Sequence, residues 1–165
     1  MNEHIIHEIE PVFDAKSQVL MLGTMPSPKS REQGFYYGHP QNRFWKVLAA
    51  VLDTEVPQTI PEKKQLLLTH HIALWDVLAS CTIAGASDAS IRDPKPNDIT
   101  QLCTAAPIKK IFCTGAKATQ LYRKLCEPAV HLPCEQLPST SPANAAMKLP
   151  VLVEVYRAAL LPHLD

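Results

Sequence analysis

Residues 22–45, with the sequence LGTMPSPKSREQGFYYGHPQNRFW, hold the side chains of this chain that are best suited to chemistry. The turn at 23–27 (GTMPS) follows an apolar run, and such turns at the carboxyl ends of strands in α/β sheets commonly bind ligands. Three aromatic residues at 35–37 come next, and Asn42 stands where an amphipathic helix begins. Aromatic rings, backbone amides and a side-chain amide together predict a binding site for a flat, polar ligand.

Alternating strand and helix patterns predict the framework that positions these residues. Apolar runs predict strands at 18–22, 72–78, 108–114 and 130–136. Amphipathic spacing predicts helices at 42–52, 61–70, 97–104, 115–126 and 150–161. The third of these helices has Asn97 as its predicted N-cap, and residues 80–96 are predicted to be a long connection with a role of its own. The alternation predicts a single domain over residues 1–165, with α/β/α layers around a central four-stranded, mainly parallel sheet.

Four loops are predicted to converge, because each of them follows a strand of that sheet. They are GTMPS (23–27), the segment at Asp76, TGAK (114–117) and PSTSP (138–142). Loops at the carboxyl ends of parallel strands share one rim of the sheet, so the pattern predicts a pocket there.

Composition narrows the classes of protein that this chain can represent. The formal net charge is zero, which argues neither for nor against a nucleic-acid partner, and local basic runs such as 107–124 are equally typical of solvated faces. The five cysteines show no CxxC spacing and indicate reduced thiols, with no support for a metal cluster. No apolar run approaches the ~18–20 residues of a membrane span, and the acidic N-terminal residues are unlike a signal peptide. We therefore expect a cytoplasmic monomer without a cofactor or a membrane partner.

Taken together, the motifs resemble those of the uracil-DNA glycosylase superfamily, most closely its hypoxanthine-DNA (deoxyinosine) glycosylase branch. The matching segments are GTMPS at 23–27, GFYYGHPQNRFWKVL at 34–48, IALWDV at 72–77 and PSTSPANA at 138–145. The string HPQNRFWKV is also similar to a phrase in the mismatch-specific uracil-DNA glycosylases. The resemblance implies a monofunctional DNA glycosylase. Such an enzyme removes hypoxanthine or uracil from a nucleotide that is flipped out of DNA, and it leaves an abasic site.

The resemblance implies that Asn42 is the catalytic residue. Relatives place an Asp or Asn for water activation where this chain has Met25, and the hypoxanthine branch shares that departure and assigns the role to an Asn in the HPxN segment. The amide oxygen of Asn42 can accept a hydrogen bond from water, although an amide is no general base. The alternative is that Asn42 caps the following helix, and both roles are compatible.

The resemblance also implies that Tyr37, Asp76 and the backbone of GTMPS bind the base. Tyr37 occupies the position of the stacking aromatic residue in relatives, whereas Phe35 and Tyr36 are expected to be core or cover residues. The alternative is that Tyr37 is a core or cover residue as well. An ionised Asp76 only accepts hydrogen bonds, so it would accept the N–H of uracil or hypoxanthine but repel the ring nitrogens of cytosine and adenine. Its alternative is a strand-end residue that caps a turn. Backbone amides near Gly23, Thr24 and Met25 are candidates for contacting the base oxygen.

The remaining predictions concern contacts with the DNA backbone. The candidates are Ser27, Ser139, Thr140, Ser141 and Pro142, with Pro142 and Ala143 at the place of the wedge in relatives and Leu137 at the place of their motif histidine. His39 is a candidate replacement for that histidine, although a lone histidine is more often structural. Thr114, Gly115 and Lys117 fit a phosphate at a helix N-terminus or ordinary strand–helix packing equally well.

Two other functions compete with the glycosylase. One is a non-catalytic module that binds damaged DNA, which Met25 and Leu137 make credible. The other is an unrelated nucleotide-binding α/β protein, which is weakened because the chain has neither a GxGxxG nor a GxxxxGK[ST] motif.

Overall fold

The computed structural model describes residues 3–85 and 87–164. These residues form two β-sheets with helices around them. The strands are β1 (Glu3–Ile6), β2 (Val19–Gly23), β3 (Ile72–Asp76), β4 (Leu78–Ile83), β5 (Arg92–Pro96), β6 (Lys110–Thr114) and β7 (Cys134–Leu137). The helices are α1 (Pro28–Gln33), α2 (Phe44–Val51), α3 (Ile60–Thr69), α4 (Ile99–Ala105), α5 (Ala116–Leu125), α6 (Glu127–Val130) and α7 (Leu149–Leu160). Among these helices, none has the length and apolar character needed to cross a membrane.

The four-stranded sheet is parallel throughout and has the order β3-β2-β6-β7. Every residue of β2 is buried, as expected for a strand with helices on both faces. Val19 and Met21 pack into a core with α2, α3 and α7, whereas Leu20 and Leu22 pack into a second core with α4 and α5. The predicted three-layer α/β fold with a four-stranded parallel sheet is therefore confirmed.

Helices α1 and α3 begin at side-chain caps. Thr59 and Glu62 form a capping box at the start of α3, with a proline in the first turn. Ser27 caps α1 by accepting a hydrogen bond from the backbone N–H of Ser30. Helix α1 was not predicted, because six residues are too few to show helical periodicity.

A second sheet, which is antiparallel with the order β1-β4-β5, was missed by the sequence analysis. The predicted strand at 72–78 is split at Val77, so that β3 ends in the parallel sheet and β4 begins in the antiparallel one. The predicted connection at 80–96 is instead mostly the hairpin of β4 and β5. Pro94 and Pro96 argued against a strand there, but β5 lies at a sheet edge, where proline is tolerated.

Two predicted boundaries are also wrong. Asp98, not Asn97, caps α4 by accepting a hydrogen bond from the N–H of Gln101. The Asn97 side chain instead donates to the carbonyl oxygens of Asp76 and Leu78, at 2.9 and 3.0 Å, and so supports the crossing between the sheets. The strand predicted at 130–136 begins only at β7, because residues 127–130 form α6.

Candidate active site

A cavity of about 150 Å³ lies at the carboxyl ends of the four parallel strands. It is lined by residues of all four predicted loops, namely Gly23, Thr24, Met25, Pro26, Ser27, Asp76, Thr114, Ser139, Thr140 and Ser141, together with Ser30, Tyr36, Tyr37 and Asn42. The predicted convergence of these loops is confirmed. The turn of the β4–β5 hairpin also contributes Ile83, Gly85 and Asp88, which the sequence analysis did not anticipate. A protein cavity of about 150 Å³ is large enough to bind benzene, so this cavity has the size expected for a single flat ring system.

Gly23 allows the Asp76 carboxylate and the Tyr37 hydroxyl to approach the end of β2. A Cβ atom at Gly23 would lie 2.5 Å from Asp76 Oδ1 and 3.1 Å from the Tyr37 hydroxyl oxygen. The sequence predicted this glycine from its turn, but the structure shows that it is needed for clearance. The two oxygens therefore lie close to one point on the backbone of the GTMPS loop.

The Asp76 carboxylate is held by His7, a residue that the sequence analysis missed. His7 Nε2 lies 2.9 Å from Asp76 Oδ2, and the two side chains are only 1% and 5% exposed. No backbone N–H among residues 3–85 and 87–164 donates to this carboxylate, so the alternative of a turn cap is not what the structure shows. The two residues are 69 positions apart, and no local pattern in the sequence indicates their contact.

Tyr37 lines the cavity with a ring that is covered on one side. Its ring stacks on Phe44, with a centroid distance of 4.0 Å and an interplanar angle of 10°. Tyr37 has a φ of 55°, and the turn is supported by Ser30, whose hydroxyl accepts a hydrogen bond from the N–H of Gly38 at 2.9 Å. Only the face away from Phe44 remains for a base, so the stacking role stays a prediction. Phe35 and Tyr36 are buried, which confirms their interpretation as core residues.

The hydroxyl of Tyr37 is an oxygen acceptor on the cavity side. Thr114 donates its hydroxyl proton to the carbonyl oxygen of Leu22, at 3.4 Å, because a carbonyl only accepts. Thr114 must then accept from Tyr37, whose oxygen lies 3.3 Å away. Burial, and then the Asp76 carboxylate, raise the pKa of Tyr37 well above its ordinary value, so the phenol is neutral.

Asn42 joins the start of α2 to the loop after β7. Its Oδ1 accepts hydrogen bonds from the N–H of Phe44 at 2.9 Å and from the hydroxyl of Thr140 at 2.8 Å. Asn42 therefore holds the first N–H of α2, as the capping alternative expects, although Arg43 occupies the N-cap position itself. These two donors use both lone pairs of the oxygen, which leaves none for water, contrary to the prediction. The Nδ2 amide group is the polar part of Asn42 that remains for a ligand in the cavity.

Thr140 does not make the predicted phosphate contact with its hydroxyl. The residue is 2% exposed, and its hydroxyl donates to Asn42 instead. Ser139 and Ser141 are half-buried at the cavity and Pro142 is exposed, so their DNA contacts, like that of Ser27, stay predictions.

Arg43 fixes the loop that follows β7. Its guanidinium donates hydrogen bonds to the carbonyl oxygens of Thr140, Ser141, Asn144 and Met147. Its backbone N–H also donates to the carbonyl oxygen of Thr140, at 3.1 Å. Since the hydroxyl of Thr140 in turn donates to Asn42, Arg43 helps to set the position of the Asn42 side-chain amide.

Charge in the cavity comes from carboxylates. Asp76 is buried and Asp88 is exposed at the hairpin turn, whereas no lysine or arginine is among the described residues that line the cavity. His39 is exposed and only accepts a local hydrogen bond from the N–H of Gln41. The described residues contain no cluster of three or more potential metal ligands.

The family model of the uracil DNA glycosylase superfamily matches residues 10–161, the span that contains every cavity residue described above. The chain belongs to this superfamily. The resemblance recognised from the GTMPS, HPQNRFW and PSTSP motifs is thereby confirmed.

Similar proteins support the assignment of the chain to this superfamily. A hypoxanthine DNA glycosylase from Methanosarcina acetivorans is 31% identical over 134 residues, covering 81% of this chain and 84% of that protein. A protein of the same name from Methanosarcina barkeri is 32% identical over 136 residues, covering 81% and 85%. The solution NMR structure of a candidate uracil DNA glycosylase from Methanosarcina acetivorans has a TM-score of 0.78 and 27% identity, and covers 96% of this chain and 98% of that chain.

Two positions of this uracil DNA glycosylase superfamily member depart from the motifs of its relatives. Met25 is half-buried at the cavity and also packs against the core that contains Leu20 and Leu22. Leu137, at the place of the motif histidine, is a buried core residue. Neither side chain can move a proton, so the chemistry of the cavity has to come from its polar residues, among them Asp76, Tyr37 and Asn42.

Proposed function

We propose that this protein is a DNA glycosylase that hydrolyses the N-glycosidic bond of a deaminated base, hypoxanthine or uracil, flipped out of DNA. The relatives named hypoxanthine DNA glycosylases support this substrate class. The observation that carries the proposal is the placement of Asp76 Oδ1 and the Tyr37 hydroxyl at Gly23, inside a cavity of nucleobase size.

Selection follows from the hydrogen-bonding character of these two oxygens. Deamination converts a ring nitrogen that accepts a hydrogen bond in adenine or cytosine into an N–H that donates one. An ionised carboxylate only accepts, so it binds the deaminated form and repels the lone pair of the normal base. In a buried site this mismatch is costly, because a buried acceptor without a donor is left unsatisfied.

Capture of the base requires that it leave the duplex. Extrusion costs a few kcal/mol, and stacking on one aromatic ring returns ~1–3 kcal/mol. The face of Tyr37 away from Phe44 is our candidate for that ring, since Phe44 already holds the tyrosine in place.

Bond cleavage passes through an oxocarbenium-like sugar while negative charge moves onto the departing base. The Nδ2 group of Asn42 donates to the oxygen of the base, where negative charge develops as the bond breaks. The amide of Asn42 is no general base, so catalysis through it depends mainly on orientation and on fixed donors. Ser27, Ser139, Ser141 and Pro142 are the proposed contacts to the flanking DNA backbone.

The test uses oligonucleotides that each contain one deoxyinosine or one deoxyuridine. They are incubated with the purified protein and then treated with alkali, which breaks the strand at abasic sites. We expect breaks at the modified position with the wild type and a large loss with Asn42→Ala. A mobility shift without strand breaks would contradict the proposal and would support the damage-binding module that Met25 suggests.

A further inference from the structure

His7 lies outside the motifs that define the superfamily, yet it contacts Asp76, the residue proposed to read the base. It follows β1, and its backbone N–H donates to the carbonyl oxygen of Ala79 at 2.6 Å. The pairing of Ile6 with Ser80 places this segment beside the crossing from β3 to β4. The antiparallel sheet therefore carries the imidazole to Asp76, at the end of the parallel sheet.

The His7–Asp76 pair is buried and has a defined proton arrangement. The Nε2–Oδ2 distance is 2.9 Å, and an ionised carboxylate only accepts, so Nε2 carries the hydrogen. Among the described residues, His7 is the only one whose side chain forms a hydrogen bond with the Asp76 carboxylate. Tyr36 and Tyr37 also face this carboxylate, and burial and then Asp76 raise the pKa of each, so both are neutral.

The contact with His7 fixes the orientation of the carboxylate. With Oδ2 bound to the imidazole, Oδ1 is directed to the backbone of Gly23, where a Cβ atom would lie only 2.5 Å away. Oδ1 accepts no hydrogen bond from any described residue, so it remains available to a ligand.

We propose that His7 is a positioning residue that determines base selectivity, because it holds Asp76 as an anion with Oδ1 presented to the base. This inference rests on the proposed glycosylase function and adds a second residue to its reading of the base. A donor on Oδ2 stabilises the charged carboxylate. A neutral carboxyl group would instead carry a hydroxyl that can donate to N1 of adenine or N3 of cytosine, and the discrimination against normal bases would be lost.

The experiment compares three variants under single-turnover conditions. His7→Leu removes the donor and keeps an apolar side chain, His7→Gln restores an N–H, and His4→Leu is the control because His4 is exposed on β1. Each protein is given matched oligonucleotides with deoxyinosine or deoxyadenosine at one position. DNA affinity and the melting temperature are measured alongside.

We expect His7→Leu to slow excision of hypoxanthine roughly tenfold or more, as for the loss of a hydrogen bond to a charged group, and to lower the ratio of hypoxanthine to adenine release. His7→Gln should recover most of the rate and of the ratio, while affinity for undamaged DNA and the His4→Leu control stay at the wild-type level. A purely structural role would lower stability without changing the ratio. An unchanged ratio in a folded His7→Leu protein would overturn the inference.

Two further results separate this inference from the proposed function. An active wild type with a His7→Leu variant of unchanged rate overturns the role of His7 alone, whereas a wild type that releases no base overturns the proposed function as well. Nitrogen-15 NMR of the wild type tests the pair without any variant. We expect the Nε2–H tautomer of His7, and a ring protonated only at Nδ1 would overturn the arrangement.

Discussion

Gly23→Ala tests the packing at the base-reading oxygens most sharply. The added Cβ would lie 2.5 Å from Asp76 Oδ1, about 0.9 Å short of ordinary van der Waals contact, which begins at 3.4 Å. The carboxylate cannot retreat freely, because its other oxygen is bound to the buried His7. A displacement near 1 Å at a reacting group costs ~100-fold in rate, so we expect a loss of that order. Overpacking should also destabilise the protein by ~1–3 kcal/mol.

The assay is single-turnover excision from a deoxyinosine oligonucleotide, with the melting temperature measured on the same preparation. Gly34→Ala is the matched control, since it makes the same change at a residue with φ 73° and no atom within 4 Å of the added Cβ. It should destabilise the fold through backbone strain and leave the rate of excision unchanged. If the Gly23→Ala protein is folded and its rate of excision is within twofold of the wild-type rate, the clearance at Gly23 is not needed for excision.

Three further predictions follow from the loop contacts and from buried tyrosines. Thr140→Val removes the hydroxyl that orients Asn42, so it should raise the activation free energy of excision by ~0.5–1.5 kcal/mol. Thr140→Ser keeps the hydroxyl and should leave the rate of excision unchanged. Equal rates of excision for the two variants would contradict this. Arg43→Lys cannot satisfy the same carbonyl oxygens with one ammonium group, so the loop at 138–147 should become more sensitive to proteolysis, and an unchanged cleavage rate would argue against the clamp. Burial raises the pKa of Tyr36 and Tyr37 in the folded protein, so the free energy of unfolding should fall as the pH rises above ~10, where the unfolded chain releases phenolic protons. Urea denaturation on either side of that pH measures the change, and a constant or rising stability would contradict it.

The sequence predicted those features that depend on short-range patterns. The apolar runs of the four parallel strands, and the turn residues after them, placed Gly23, Asp76 and the loop at 138–142 on one rim of the sheet. Asn42 was found because an amide before an amphipathic helix is a local signal. The order of the strands brought these separate signals into one cavity.

Other features depended on contacts that no local pattern shows. β1 and the β4–β5 hairpin form their sheet through pairing of distant segments, and the prolines of β5 hid an edge strand. His7 reaches Asp76 across 69 positions, and Arg43 reaches the loop after β7 across about 100. Hydroxyl side chains near a suspected DNA site also predicted phosphate contacts, whereas the hydroxyl of Thr140 is used inside the protein.

The cavity is expected to release a deaminated base and to reject its normal counterpart. The direct measurement is mass-spectrometric detection of free base from two oligonucleotides that differ only by deoxyinosine or deoxyadenosine at one position. We predict free hypoxanthine and an abasic strand from the first, and no adenine from the second. Release of adenine at a comparable rate, or the absence of any free base from either strand, would contradict the account.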